Sequence, residues 1–137
     1  KNLATKNDGA TPLHIAAQNR HDAVVRALLD AGADKHLAMS DGYTPLFIAA
    51  GNGHDAVVRA LLGAGADKDL TTKNDGATSL FIAAQNGHDA VVRALLDAGA
   101  DKRLAMNNGD TPLSLAAELA PRDPRHARVF LALLDVA

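Results

Sequence analysis

Four times along this chain the pattern Asp/Asn-Gly-x-Thr-Pro/Ser-Leu-x-Ile/Leu-Ala-Ala appears, anchored at Gly9, Gly42, Gly76 and Gly109, which step by 33, 34 and 33 residues. A period of that size marks one supersecondary unit copied in tandem. Each copy is too small to bury its own apolar face, so a core exists only where copies stack. This restricts the chain to a quasi-one-dimensional array in which neighbours in sequence are neighbours in space.

The physics of one unit is legible in its first copy. Asp8-Gly9 supplies a tight turn, because glycine tolerates positive φ and an aspartate side chain bonds its own backbone. Thr11 is a good N-cap, and Pro12 occupies the first helical position, where its missing N–H costs nothing. The pattern predicts a short helix from about Pro12 to Gln18, a turn at Asn19-Arg20, and a second helix from about His21 to Ala31 stopped by Gly32. Val24, Val25, Leu28 and Leu29 recur at helical spacing and are expected to face neighbouring units, as are Val57, Val58, Leu61, Leu62 and Val91, Val92, Leu95, Leu96. The acid-first pairs Asp22/Arg26, Asp55/Arg59 and Asp89/Arg93 stand four apart, an order worth about 0.2–0.5 kcal/mol each on a solvated face.

With those residues in view, Gly-x-Thr-Pro-Leu-His-Ile-Ala-Ala, then the Gly-His turn, then Val-Val-x-x-Leu-Leu-x-x-Gly-Ala-Asp, resembles the ankyrin repeat over essentially the whole chain. The resemblance implies an all-α solenoid of helix-turn-helix units joined by β-hairpin fingers, used most often to hold other proteins. It divides one domain, residues 1–137, into a finger at 1–9, repeats at about 8–40, 41–74 and 75–107, and a C-terminal capping repeat at 108–137. The chain begins at Lys1 inside a repeat, which reads as a fragment lacking upstream helices; a monomer is expected, with self-association through the uncapped N-terminal face as its hazard.

Departures from the pattern carry information. Arg20 stands where the inter-helix turn otherwise has Gly53 and Gly87, a cost of about 1 kcal/mol if positive φ is needed there. Ser79 replaces the helix-starting proline, and Gly63 replaces the late-helix aspartates Asp30 and Asp97. In the last unit about five residues, including Pro121 and Pro124, separate the two helices, which reads as a cap with a longer loop. Finger lengths alternate, and residues 5–42 and 72–109 agree at 32 of 38 positions, the mark of a duplicated two-unit block.

Composition excludes several function classes. The net charge of −2, with acids and bases interspersed, offers no long-range attraction to a phosphate backbone, so no nucleic-acid partner is expected. No apolar run reaches the roughly 18–20 residues that span a bilayer, and no membrane partner is expected either. With no cysteine there is neither a disulfide framework nor thiolate chemistry; a cytoplasmic setting is expected.

Nothing in the chain reads as an active site. His21, His54 and His88 recur once per unit, but equivalent positions on stacked helices lie about 8–10 Å apart, whereas zinc ligands each sit about 2 Å from the metal. They read instead as turn histidines bonding backbone. The serines Ser40, Ser79 and Ser114 lie in no nucleophile motif, and no phosphate-cradling loop is present. No catalytic, cofactor or metal residue is expected, and the chain reads as a non-enzyme.

What the resemblance implies instead is a protein-binding surface along the fingers and the exposed side of the first helices. Matching positions are Asn7, Asp8, Ala10, Gln18 and Asn19; then Ser40, Asp41, Tyr43, Phe47 and Asn52; then Asn74, Asp75, Ala77, Gln85 and Asn86; and finally Asn107, Asn108, Asp110 and Glu118. Tyr43, the sole tyrosine, is the best anchor, because tyrosine is enriched at binding hot spots. Met39 and Met106 can add adaptable apolar contact. Two readings of function stand: a module binding a protein of unidentified nature around Tyr43, or a structural spacer or engineered array, part of a longer protein, with no ligand of its own.

Overall fold

A computed structural model describes residues 9–134, which fold into eight helices arranged as four pairs. The pairs are α1 (Pro12–Gln18) with α2 (Asp22–Asp30), α3 (Pro45–Gly51) with α4 (Asp55–Gly63), α5 (Ser79–Gln85) with α6 (Asp89–Asp97), and α7 (Pro112–Leu119) with α8 (Pro124–Leu134). Every first helix starts the same way. Thr11, Thr44, Thr78 and Thr111 hold extended backbone, and each accepts, through its hydroxyl, the backbone N–H three residues on. One otherwise orphaned helix donor is thereby satisfied in each unit.

First helices pack on first helices in the order α1, α3, α5, α7, and second helices on second helices in the order α2, α4, α6, α8. The core runs between these layers. Leu13, Leu46 and Leu80 form one buried ladder; Val25, Val57, Val58, Leu61, Val91, Val92, Leu95, Val129 and Leu133 form the other. Alanine pairs such as Ala49-Ala50 and Ala83-Ala84 are buried with them, small enough to bring helix axes close. Val24 departs from the expected ladder: it is 48% exposed while Val57 and Val91 are buried, because no described helix stands against the outer side of α2. Ile15 of α1 is exposed as well.

Three other expectations are corrected. The fingers are tight turns rather than β-hairpins, and no strand occurs among the described residues. Each is closed by one or two backbone bonds, Met39 N–H to Tyr43 O at 2.9 Å, Thr72 N–H to Ala77 O at 3.0 Å and Met106 N–H to Asp110 O at 2.8 Å, too few to propagate a ladder. The insertion in the last unit is mostly helical rather than a long loop. It extends α7 to Leu119 and starts α8 at Pro124, whose ring suits a first helical turn, leaving only residues 120–123 between them. The intra-helix acid–base pairs do not close: Asp89 meets Arg128 of α8 at 3.4 Å instead of Arg93, because the stacked neighbour offers a guanidinium within reach. The finger at residues 1–9 lies outside the described residues except for Gly9.

Candidate functional site

Hydrogen bonds between units fix the fingers and first helices relative to one another. His14 is buried, and its ring links two repeats. Thr11 donates its backbone N–H to Nδ1 at 3.1 Å, so the ring proton resides on Nε2, which donates to the carbonyl of Tyr43 at 3.1 Å. The second finger is thereby tied to α1 by the backbone of its own tyrosine. At the far ends of α1, α3 and α5 a histidine from the next unit donates through Nε2 to a carbonyl: His54 to Gln18 at 2.9 Å, His88 to Gly51 at 3.0 Å and His126 to Gln85 at 2.9 Å. His54 and His88 are staples, as expected, whereas the ring of His21 makes no such bond among the described residues. His126 takes the same role from inside α8, which the sequence numbering obscured, since five extra residues displace it from the Gly-His turn.

Adjacent fingers also touch directly. Asn107 donates its backbone N–H to Asp75 O at 2.9 Å, and its side-chain amide to Asn74 O at 3.2 Å. At Gly42 the third finger comes so near that an added Cβ would lie 2.8 Å from the backbone nitrogen of Lys73. Within the second finger, Asp41 Oδ1 accepts the backbone N–H of Tyr43 at 3.1 Å, an Asx turn that holds the tyrosine in place.

Tyr43 stacks on Phe47 with ring centroids 4.6 Å apart at 34°. In the angle between this finger and the first-helix layer lies a depression of about 400 Å³. It gathers six residues of the expected surface: Gln18, Asp41, Tyr43, Phe47, Asn52 and Asn86. Met39 and Gly51 complete it together with Ile48 and Ile82, two isoleucines the sequence pattern left in the framework. A signal for them existed: Ile48 is one turn on from Thr44 and three before Gly51, so it shares their face of α3.

Ser40, Asn74, Asp75, Asn107, Asn108 and Asp110 are exposed along the fingers, and Asn19, Gln85 and Glu118 at the far ends of first helices, all outside the depression. Ala10, Ala77 and Phe47 are not free surface. Ala10 and Ala77 are buried, and Phe47 is 7% exposed, packed with Ala77 and Phe81 in a small cluster that Met106 and Leu115 cover. The next repeat covers these positions, so they support the surface from beneath. Asn7 and Asp8 lie outside the described residues.

A second, larger depression of about 990 Å³ opens among the ends of the second helices, lined by charged residues including Arg93, Asp97 and Lys102. Its Arg103 and Asp101 are paired at 3.4 Å, and the Asp101 pKa is held below its ordinary value first by the backbone N–H that Arg103 donates to Oδ1 at 3.0 Å and then by the guanidinium. Nearby in the cap, Arg125 bonds Asp123 at 2.9 Å and lowers its pKa to about 2. Among the described residues no three His, Asp or Glu side chains converge as a metal site would require, and no helix is long and apolar enough to cross a membrane.

The helix pairs, the threonine caps and the histidine links converge on one family, and a family model described as ankyrin repeats (3 copies) matches residues 1–72 and again residues 57–136. The chain is an ankyrin repeat protein. Ankyrin repeats generally serve as protein–protein interaction modules and are typically non-enzymatic. No curated protein matches the sequence.

Proposed function

We propose that this ankyrin repeat chain is a non-enzymatic module that binds a protein partner through its fingers and first helices, with Tyr43 as the anchor. The observation that carries this reading is the depression beneath the second finger. It joins the only tyrosine of the chain, 37% exposed and braced by Phe47, to polar side chains from three successive units. Concave sites of this kind, apolar within and polar at the edge, are where protein surfaces take up ligands. The stapled framework favours binding as well, because a surface already held in its bound geometry loses little entropy on association.

The test is capture from lysate by the parent chain and by Tyr43→Ala, after both are shown to be equally stable. A protein held by the parent and lost by the variant is expected. If both hold the same proteins, or neither holds any, the spacer reading, favoured by the near-identity of the duplicated block, replaces this one.

A further inference from the structure

On the reading that the finger face binds a protein, we propose that the depression over Gly51 receives one arginine side chain from an extended, basic segment of the partner. Gly51 occupies the position held by Gln18 in α1 and Gln85 in α5. Its missing side chain is what opens the floor: a Cβ built there would lie 3.3 Å from Ile82 Cγ1 and 3.9 Å from Asn86 Nδ2. The equivalent positions in the other units carry longer side chains, Gln18, Gln85 and Glu118.

The lining selects among occupants. Ile48 and Ile82 offer an apolar channel suited to a methylene stem, and the Tyr43 ring offers a π-face. Asp41 is the one charged residue in the lining, and no ion pair engages it among the described residues; Tyr43 N–H occupies Oδ1, leaving Oδ2 to accept. Asn86 donates its amide N–H to Gly51 O at 2.8 Å, which leaves its own oxygen as a second acceptor. A purely aliphatic guest would strip water from Asp41 and leave it unpaired, which is costly. Arginine satisfies both requirements, with a stem for the isoleucines and a flat guanidinium that stacks on tyrosine while bonding carboxylate, a combination lysine's compact ammonium does not offer. Charge along the described fingers agrees: Asp41, Asp75 and Asp110 stand against the single cation Lys73.

The experiment is selection from a random twelve-residue peptide library displayed on phage, followed by anisotropy titration of the enriched peptides on the parent chain and on two variants. Gly51→Gln installs the residue that α1 and α5 already carry. Asp41→Asn removes the charge but keeps the turn, because Asn108 accepts the Asp110 N–H in the corresponding finger at 2.9 Å. The expected result is an arginine at one fixed peptide position, with binding weakened about tenfold or more by Gly51→Gln and about threefold by Asp41→Asn. Should Gly51→Gln fail to fold, Asp41→Asn and replacement of the peptide arginine by leucine decide. Peptides lacking arginine, yet weakened by Tyr43→Ala, overturn the arginine assignment while the finger-face reading survives. Peptides bound equally by every variant, or no enrichment at all, overturn both.

Discussion

Arg20 is the only non-glycine residue with positive φ among those described, at +61°, where the second and third units have Gly53 and Gly87 at +74° each. The turn geometry is imposed by the helix pair, and the side chain bears the strain. Replacing Arg20 by glycine should raise stability by about 0.5–1 kcal/mol, read as a higher urea midpoint at unchanged slope. The reverse change is harsher. A Cβ at Gly53 would lie 2.6 Å from His88 Nδ1, so Gly53→Ala must displace the ring that donates to Gly51 O and should cost about 1–3 kcal/mol in the same assay. An indifferent Arg20→Gly would mean that the turn relaxes in solution.

At the scale of elements, the first helices differ mainly in how they begin. α5 starts with Ser79, where α1, α3 and α7 start with Pro12, Pro45 and Pro112. Thr78 before it already has φ −92° and ψ 167°, the conformation that a following proline demands. Ser79→Pro should therefore stabilise the chain by about 0.4–1 kcal/mol, chiefly by restricting the unfolded state, and thermal unfolding followed by circular dichroism checks it. Helix positions were legible in sequence because caps, prolines and glycine stops act within a few residues. The fingers were not, since hairpin-like turn residues at Met39–Tyr43 and Thr72–Ala77 say nothing about whether the pairing extends beyond its first bonds. The last unit misled for a related reason: Pro121 and Pro124 break one helix, yet Pro124 also begins the next. In the candidate site, Tyr43 stood out as an exception among aligned fingers. Phe47 beside it could serve the surface or pack between repeats, and the stacked neighbour decides for packing; helical spacing places Ile48 on the face of Gly51, but the open space that gives it and Ile82 a role comes only from stacking α5 on α3.

Across the whole molecule, stability resides in contacts between units, and one histidine staple, His88, makes part of it sensitive to pH. Burial lowers the pKa of His88 below its ordinary 6.5, outweighing the bond to Gly51 O that raises it; Arg125 and His54 push it down further. The unfolded chain thus takes up this proton more readily than the folded one. The contribution of His88 is complete above pH 6.5 and is lost as pH falls through the depressed value. Urea midpoints should drop as pH falls below 6.5, and His88→Gln, which can still donate to Gly51 O, should flatten that dependence. An equally steep profile in the variant would assign the effect elsewhere. The same stapling makes the finger face a preformed surface spanning several units. Docking of a partner on this side is read from amide hydrogen exchange of the chain with and without the captured protein. Slower exchange confined to the second finger, the end of α3 and the end of α5, with α2, α4 and α6 unchanged, is the predicted footprint; protection of those second helices with the Tyr43 finger unaffected would contradict it.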